Sequence, residues 1–304
     1  MQKLFSMGLN RISLLIAIGS ITIVPHGALG QSSVLRTPWG SPDLGGIWNH
    51  GTATPLERPD HHAGRERLDD KEIAELNAQQ RASDGALARR AVWWERGLSD
   101  GRTSMITDPR NGKIPYTEHA RALSRSRPAP HSDGPEGRNL WERCLTAGIP
   151  RLGGVYSQNI HLAQTPDYVM LLHEMIHEYR IIPLGETHNP PRGLKQWLGN
   201  SRGHWEGDTL VIETIDFDSR QLFRGLSLSS MRLVERFTRV DANTLRYDVS
   251  FTDPELWSQP WTASLTMPPS EGPMFEYACH EGNVGMTNIL EFARLDEKDS
   301  GSEP

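Results

Sequence analysis

The second half of the chain alternates apolar and polar residues with a period of two, and this pattern constrains the fold more than any other feature. After residue 155 several such stretches follow one another, each bounded by turn residues. In LRYDVSFT (245–252) every second residue is apolar or aromatic, and Gly207-Asp208 and the segment 241–244 have the composition of tight turns. Seven or more strands in meander order predict a mainly β fold, a lipocalin-like antiparallel β-barrel or curved sheet.

The first half reads differently. It is rich in Pro, Gly and His at 31–67, with one short strand predicted near Gly46–Trp48. Helical spacing follows over 69–96, interrupted at 83–85, and then the composition of loops up to residue 150. A short helix is predicted at 286–295. The predicted organisation has four segments: a signal peptide (1–30), an irregular and helical region that packs on the barrel (31–150), the β-barrel domain (151–295) and a disordered tail (296–304).

The N-terminus has the pattern of a signal peptide. Lys3 and Arg11 precede the apolar stretch Ile12–Val24, and small residues precede Gln31. This stretch of about 13 residues is shorter than the roughly 20 that span a bilayer, so cleavage before Gln31 is predicted. The mature protein is then periplasmic or secreted, without stable membrane insertion. The alternative is a retained N-terminal anchor.

Charge and known motifs exclude several functions. Loss of Lys3 and Arg11, the only Lys, Arg, Asp or Glu residues of 1–30, moves the formal charge from −6 to −8. An acidic chain without a basic run is a poor partner for nucleic acid. The sequence has no GxSxG, Walker or GxGxxG motif, so nothing supports serine-hydrolase, nucleotide or dinucleotide functions.

The chain has two cysteines, Cys144 and Cys279. In an exported protein this count predicts one disulfide, and two unrelated buried thiols are the alternative. The sequence has no CxxC and no Cys/His spacing of a structural zinc site.

The segment His173-Glu174-Met175-Ile176-His177 spells HExxH, the signature of zinc proteases. A zinc protease needs this motif on a helix, where a spacing of four places both histidines on one face. Here strand-forming residues precede and follow it, and Pro183 cannot lie inside a continuing helix. We therefore expect β-structure and no metal, with a metallopeptidase using His173, Glu174 and His177 as an alternative.

The segment 168–184 is too long for one ordinary strand of about 5–6 residues, so a bulge near Met175-Ile176 is expected. The bulge would bring Glu174, His177 and Arg180 to one side. Two interpretations remain open, a Glu174–Arg180 salt bridge or a functional polar cluster that lines the barrel interior.

EYACHEGN (276–283) is the second polar constellation. His280 and Glu281 would form an acid/base pair where the barrel closes, and the disulfide would bring Arg143 close to them. The alternative is a disulfide anchor with a solvated His-Glu rim. His161 lies on a predicted strand, either facing the interior or hydrogen-bonded in the core.

Several segments together resemble a group of exported bacterial proteins. They are TPWGSPDLGGIW, TDPRNGKIPYT, ERCLTAGIPR, EMIHEYRIIPL, WLGNSRGHWEGDTLVIETIDF, VERFTRVDANTLRYDVSFTDP and EYACHEGNVGMTNIL, and they cover nearly the whole mature chain. The resemblance implies no established reaction. It implies a recurring Glu-x-x-His-x-x-Arg pattern, matched by Glu174, His177 and Arg180. In that group the position of His173 is often Tyr, which departs from a metallopeptidase.

The predicted function is an exported enzyme that needs no metal or cofactor and acts on a small, largely apolar molecule. Acid/base chemistry by His and Glu favours a lyase, isomerase or cyclase, and allows a hydrolase. A non-catalytic lipocalin-like binding protein is the alternative, and the oligomeric state is open. The candidate catalytic residues are Glu174, His177, His280 and Glu281, and the candidate substrate-binding residues are Arg180, Arg143, His161 and Asn283.

Overall fold

The computed structural model describes residues 35–88, 97–126, 134–154, 156–185, 193–270 and 272–300. The predicted signal peptide lies outside these residues. The strands and helices are β1 (Gly46–Asn49), α1 (Asp70–Ala88), β2 (Ile106–Asp108), α2 (Glu118–Ser126), β3 (Asn159–Gln164), β4 (Tyr168–His173), β5 (Tyr179–Pro183), β6 (Asn200–Glu206), β7 (Thr209–Ile215), β8 (Leu222–Phe223), β9 (Leu226–Ser227), β10 (Arg232–Asp241), β11 (Thr244–Thr252), β12 (Trp261–Met267) and α3 (Val284–Ser300).

Two antiparallel sheets contain most of these strands. One has the order β1-β3-β4-β5 and the other β2-β12-β11-β10-β7-β6, while β8 and β9 pair separately. The predicted hairpins are confirmed, with β6 and β7 joined at Gly207-Asp208 and β10 paired with β11. The alternating residues of β11 from Leu245 to Phe251 are all buried. An aromatic and aliphatic core holds the sheets together. Within it the rings of Phe251 and Trp261 are stacked, with their centroids 3.8 Å apart.

Single bridges connect the two sheets at their edges. Leu184, after β5, bridges Gly203 of β6, and Trp48 of β1 bridges Pro269, after β12. Within the described ranges the ladder is continuous inside each sheet but not between them. The structure therefore shows a mainly β fold of two antiparallel sheets, and the closed lipocalin-like barrel is not formed as one ladder.

The region before residue 150 contributes to both sheets. β1 pairs with β3, and β2 pairs with β12, so this region supplies strands besides packing on the sheets. A capping box begins α1, in which the backbone N of Glu72 donates to Asp69 (2.9 Å) and that of Asp69 to Glu72 (2.8 Å). The predicted interruption at 83–85 is wrong. One glycine costs a helix only about 1 kcal/mol, and the good helix formers Ala86, Leu87 and Ala88 follow it.

The C-terminal segment departs from its predicted strand. Residues 272–283 contain no strand, because β2 already occupies the edge of β12 where that strand would pair. α3 continues to Ser300 and so extends into the segment assigned to a tail. No helix in the described ranges is long and apolar enough to cross a membrane.

Candidate functional site

The HExxH segment forms the turn of a β-hairpin. β4 ends at His173, a single 3-10 turn covers Met175–His177, and β5 begins at Tyr179. Ile176 and His177 have left-handed backbone conformations (φ 64° and 52°), which reverse the chain. His173 is buried and His177 is exposed, so the two do not share a helical face as a zinc protease requires. The expectation of β-structure here is correct, with a turn in place of a bulge.

The turn separates the three residues that the bulge was expected to bring together. Glu174 accepts hydrogen bonds from the backbone N (3.1 Å) and Nδ2 (2.9 Å) of Asn159, and it lines a groove of about 670 Å³. His177 lies at the surface, whereas Arg180 points into the core. The Glu174–Arg180 salt bridge considered from the sequence is therefore wrong, since each residue has another partner.

Arg180 forms a buried ion pair with Glu235, which connects β5 to β10. Its Nη1 and Nη2 donate to the two carboxylate oxygens at 2.7 and 2.9 Å, and Tyr247 Oη donates to Glu235 Oε1 at 2.8 Å. Burial disfavours the charged guanidinium, but the attraction and hydrogen bonds of Glu235 outweigh it, so the pKa of Arg180 is raised. Burial and the neighbouring Glu235 charge raise the pKa of Tyr247, which keeps the phenol protonated.

Two buried histidines lie beside this ion pair. The rings of His50 and His173 are 6.5 Å apart in a T-shaped arrangement, and only 2% and 4% of these residues is exposed. Burial, with a contribution from Arg151, lowers the pKa of His50 to about 3. Burial and the charge of Arg180 lower the pKa of His173 well below its usual range. Both imidazoles are therefore neutral at physiological pH.

The ring nitrogens of these histidines have unused hydrogen-bonding capacity. Nδ1 of His50 and both ring nitrogens of His173 are buried, and none of them has a hydrogen-bond partner among the described residues. We call His50, His173, Arg180, Glu235 and Tyr247 the buried cluster. A cavity of about 10 Å³, the space of roughly one water molecule, is lined by four of its members, His50, His173, Glu235 and Tyr247, together with Arg151.

Arg151 also lines a much larger groove of about 680 Å³, to which Arg224 contributes; we call it the arginine groove. Glu178 accepts hydrogen bonds from Thr146 Oγ1 (2.6 Å) and from the backbone N of Ala147 (3.0 Å), and Ala147 also lines this groove. Burial raises the pKa of Glu178, although these hydrogen bonds and the charge of Arg151 oppose the rise. Burial lowers the pKa of Arg151, and the charge of Glu178 partly offsets this.

The disulfide predicted from the sequence is confirmed. Cys144 and Cys279 are joined with a Cα–Cα distance of 5.7 Å. Asn283 donates to the carbonyl of Glu142 (3.1 Å) and to Cys144 Sγ (3.3 Å), so it holds the chain around the disulfide. Nη2 of Arg143 lies 3.9 Å from Oε1 of Glu136.

His280 and Glu281 are exposed on a turn next to the disulfide, in the segment 272–283 that we call the disulfide segment. The groove beside Cys279 and the groove that contains Glu174 have no described lining residue in common, although Glu276 lines the first and Phe275 the second. His161 lies half-buried on β3, between the buried Ile160 and Leu162, and therefore on the face opposite to theirs.

The structure assembles its polar interior from residues that the sequence reasoning mostly missed. Glu235 alternates with the buried Leu233 and Phe237 on β10, so strand alternation alone marks it as an ionisable residue at an inward position. His173 could be found in the same way after Val169 and Leu171. His50, Arg151 and Glu178 follow irregular segments or turns, where no periodic signal reports burial.

In the described ranges no group of three or more His, Cys, Asp or Glu side chains is arranged to hold a metal ion. Comparison with family models, curated proteins and solved structures gives no match to this chain.

Proposed function

We propose that this protein is an exported acid/base enzyme that acts on a small molecule without a cofactor, and that its site lies where the arginine groove meets the buried cluster. The observation that carries the proposal is the position of Arg151, which lines both the groove and the cavity beside His50 and His173. The groove supplies the volume that a substrate needs, and the cavity supplies neutral imidazoles with unused nitrogen atoms.

Glu178 is the proposed base; it lies behind the lining residue Ala147, so it reaches a substrate in the arginine groove only after side chains move. A carboxylate whose pKa is raised by burial accepts a proton more readily, which suits removal of a proton from carbon next to a carbonyl group. The proton moves to Glu178, and the electron pair of the C–H bond moves towards the carbonyl oxygen. Return of the proton at another carbon gives an isomerase, and departure of a neighbouring group gives a lyase.

Arg151, His50 and His173 would stabilise the negative charge that develops on the oxygen. A neutral imidazole donates one N–H without adding a second positive charge beside Arg151 and Arg180, whose charges already lower the pKa of His173. The ion pair of Arg180 with Glu235 does not contact substrate in this proposal. It positions the histidines by connecting the two sheets behind them.

The enclosure is proposed to be barrel-like. The bridges Leu184–Gly203 and Trp48–Pro269 join the sheets at both edges, which supports a strongly curved meander around the buried cluster. Export is supported by the disulfide, because such bonds persist in oxidising compartments. The predicted signal peptide and the resemblance to exported bacterial proteins agree with it.

Deuterium exchange tests this proposal even though the substrate is unidentified. Purified secreted protein is incubated in D₂O with a panel of small ketones and keto acids, and loss of the α-proton signal is followed by NMR. We expect exchange with part of the panel, and its loss in Glu178→Gln and His173→Asn. His161→Asn is the matched control, since this half-buried histidine faces away from the core. Absence of exchange with the whole panel would contradict the enzymatic proposal.

The second candidate is a binding protein of the same architecture. The cavity beside the histidines holds only about 10 Å³, so a substrate in the arginine groove reaches them only after side chains move. Ligand binding in the groove without any proton exchange is the result that favours this candidate.

A further inference from the structure

The lining of the arginine groove combines large apolar side chains with polar groups such as those of Thr54 and Gln80. Leu56, Leu76, Met105, Leu152 and Phe223 contribute large apolar side chains, and the volume of about 680 Å³ lies within the range of small-molecule sites. These residues come from α1, from β8 and from irregular segments, and Met105 also belongs to the hydrophobic core. A ligand that fills it has a substantial apolar body.

The charged residues that line the groove are all cationic. Arg151 and Arg224 line it, and no Asp or Glu is among its described lining residues. Glu57, which lies outside the lining, is 3.5 Å from Arg224 and offsets one of the two charges. The charge of Glu178, which also lies outside the lining, acts on Arg151 without a direct ion pair in the described ranges, so no carboxylate occupies the guanidinium fork of Arg151.

The guanidinium of Arg151 makes few hydrogen bonds within the protein. Its one hydrogen bond runs from Nη1 to the carbonyl of Ala147 at a long 3.4 Å, and in the described ranges no carboxylate lies within 4 Å of it. A guanidinium has five N–H donors arranged in a fork. Most donors of this half-buried side chain are thus available to a ligand, and a planar anion matches their geometry.

We propose that the arginine groove binds a small monocarboxylate with an apolar body, held by Arg151 through its carboxylate and by the apolar wall through the remainder. This rests on the proposed function and names its substrate class. A single guanidinium that no carboxylate occupies matches a monocarboxylate better than a doubly charged phosphate ester. The five large apolar side chains favour a ligand whose body is apolar, because burying them against it removes apolar surface from water.

Calorimetric titration with three matched probes tests the inference: octanoate, octanamide and octyl phosphate. We expect octanoate to bind about tenfold or more tightly than octanamide, because hydrogen bonds to charged groups contribute that much. Arg151→Met should remove the preference. Gln80→Glu, a half-buried groove residue on α1, should weaken octanoate binding without touching Arg151. Arg220→Met is the control, since Arg220 stacks on Trp197 in another groove and should leave binding unchanged.

Equal binding of octanoate and octanamide, tighter binding of octyl phosphate, or binding of no probe would overturn the inference. If Arg151→Met does not fold, Gln80→Glu alone decides, and unchanged octanoate affinity in that variant also overturns it. Glu178→Gln separates the two proposals, since it should abolish deuterium exchange and retain octanoate binding. A preference for octanoate without exchange in the wild type supports the carboxylate site and contradicts the catalytic proposal.

Discussion

Two regions of the molecule combine histidine with glutamate, and they differ in what fixes their side chains. In the buried cluster, strands from both sheets hold Arg180, Glu235 and Tyr247 within hydrogen-bonding distance. In the disulfide segment a covalent bond fixes the chain, yet His280 and Glu281 remain exposed. A disulfide sets the position of a backbone, whereas the defined side-chain geometry and lowered histidine pKa values of the buried cluster result from burial and neighbouring charges on several sides.

The largest effect is expected from breaking the buried ion pair. Glu235→Gln leaves the Arg180 guanidinium buried beside a neutral partner, and we expect a loss of about 3–5 kcal/mol in the free energy of unfolding. The double variant Arg180→Met/Glu235→Met should lose less than Glu235→Gln, because it leaves no unpaired charge. Urea denaturation measures both variants.

The control for this variant is Glu206→Gln, which breaks the exposed pair with Arg236 (2.6 Å) and should cost less than about 1 kcal/mol. If Glu235→Gln lowered the free energy of unfolding as little as Glu206→Gln does, water would have access to the buried cluster. The two regions would then not differ in burial as described.

The next effect concerns the disulfide segment. Replacing Cys144 and Cys279 by Ser removes a bond that spans 135 positions. Loop entropy sets an upper value on the order of 5 kcal/mol, and about 2–4 kcal/mol is typical. We expect a loss of this size because residues 272–283 have no strand pairing to hold them once the disulfide is removed. Denaturation with and without reductant measures the loss, and an unchanged midpoint would show that other contacts anchor the segment.

The sequence predicts the sheet structure well because strand alternation is a local signal. The pattern of β11 specifies its buried face, and Gly207-Asp208 specifies the turn between β6 and β7. It fails for the segment around Cys279, where strand-like residues find the edge of β12 already paired with β2. Which strand occupies an edge is decided by residues more than 150 positions apart (Ile106 pairs with Ala263), and no local pattern reports that.

The candidate site is less predictable for the same reason. The sequence places Arg180 among site residues, but its partner Glu235 lies 55 positions away. The expected bulge near Met175-Ile176 favoured Glu174 and His177 as neighbours of Arg180, while the left-handed turn that forms there directs them elsewhere. Burial of His50 results from packing between the two sheets, which follows only from the assembled fold.

A change of intermediate size in the free energy of unfolding is expected when the pH is lowered. In the unfolded chain His50 binds a proton below about pH 6.5, but in the folded protein only near pH 3. The unfolded state therefore binds more protons between these values, and stability falls as the pH falls. For one such histidine the loss is on the order of 2 kcal/mol between pH 6.5 and pH 5. Urea denaturation across this range should show a shallower pH dependence in His50→Asn and His173→Asn than in the wild type.

His161→Asn is the control, because this half-buried residue does not lie in the cavity. An identical pH dependence in all four proteins would mean that the buried histidines are hydrated and titrate normally.

The smallest effect is expected in the disulfide segment itself. His280→Ala and Glu281→Gln alter exposed side chains, so each should change the free energy of unfolding by less than about 0.5 kcal/mol. His177→Ala, on the exposed turn beside the buried cluster, provides the matched comparison for a surface histidine. Deuterium exchange should also continue in all three variants, because none of these side chains lines the cavity shared by Arg151 and the two buried histidines. If exchange were lost in His280→Ala or Glu281→Gln while stability stayed intact, the chemistry would belong to the disulfide segment. Burial would then be a poor guide to function in this protein, and the pair named from the sequence would be the catalytic one.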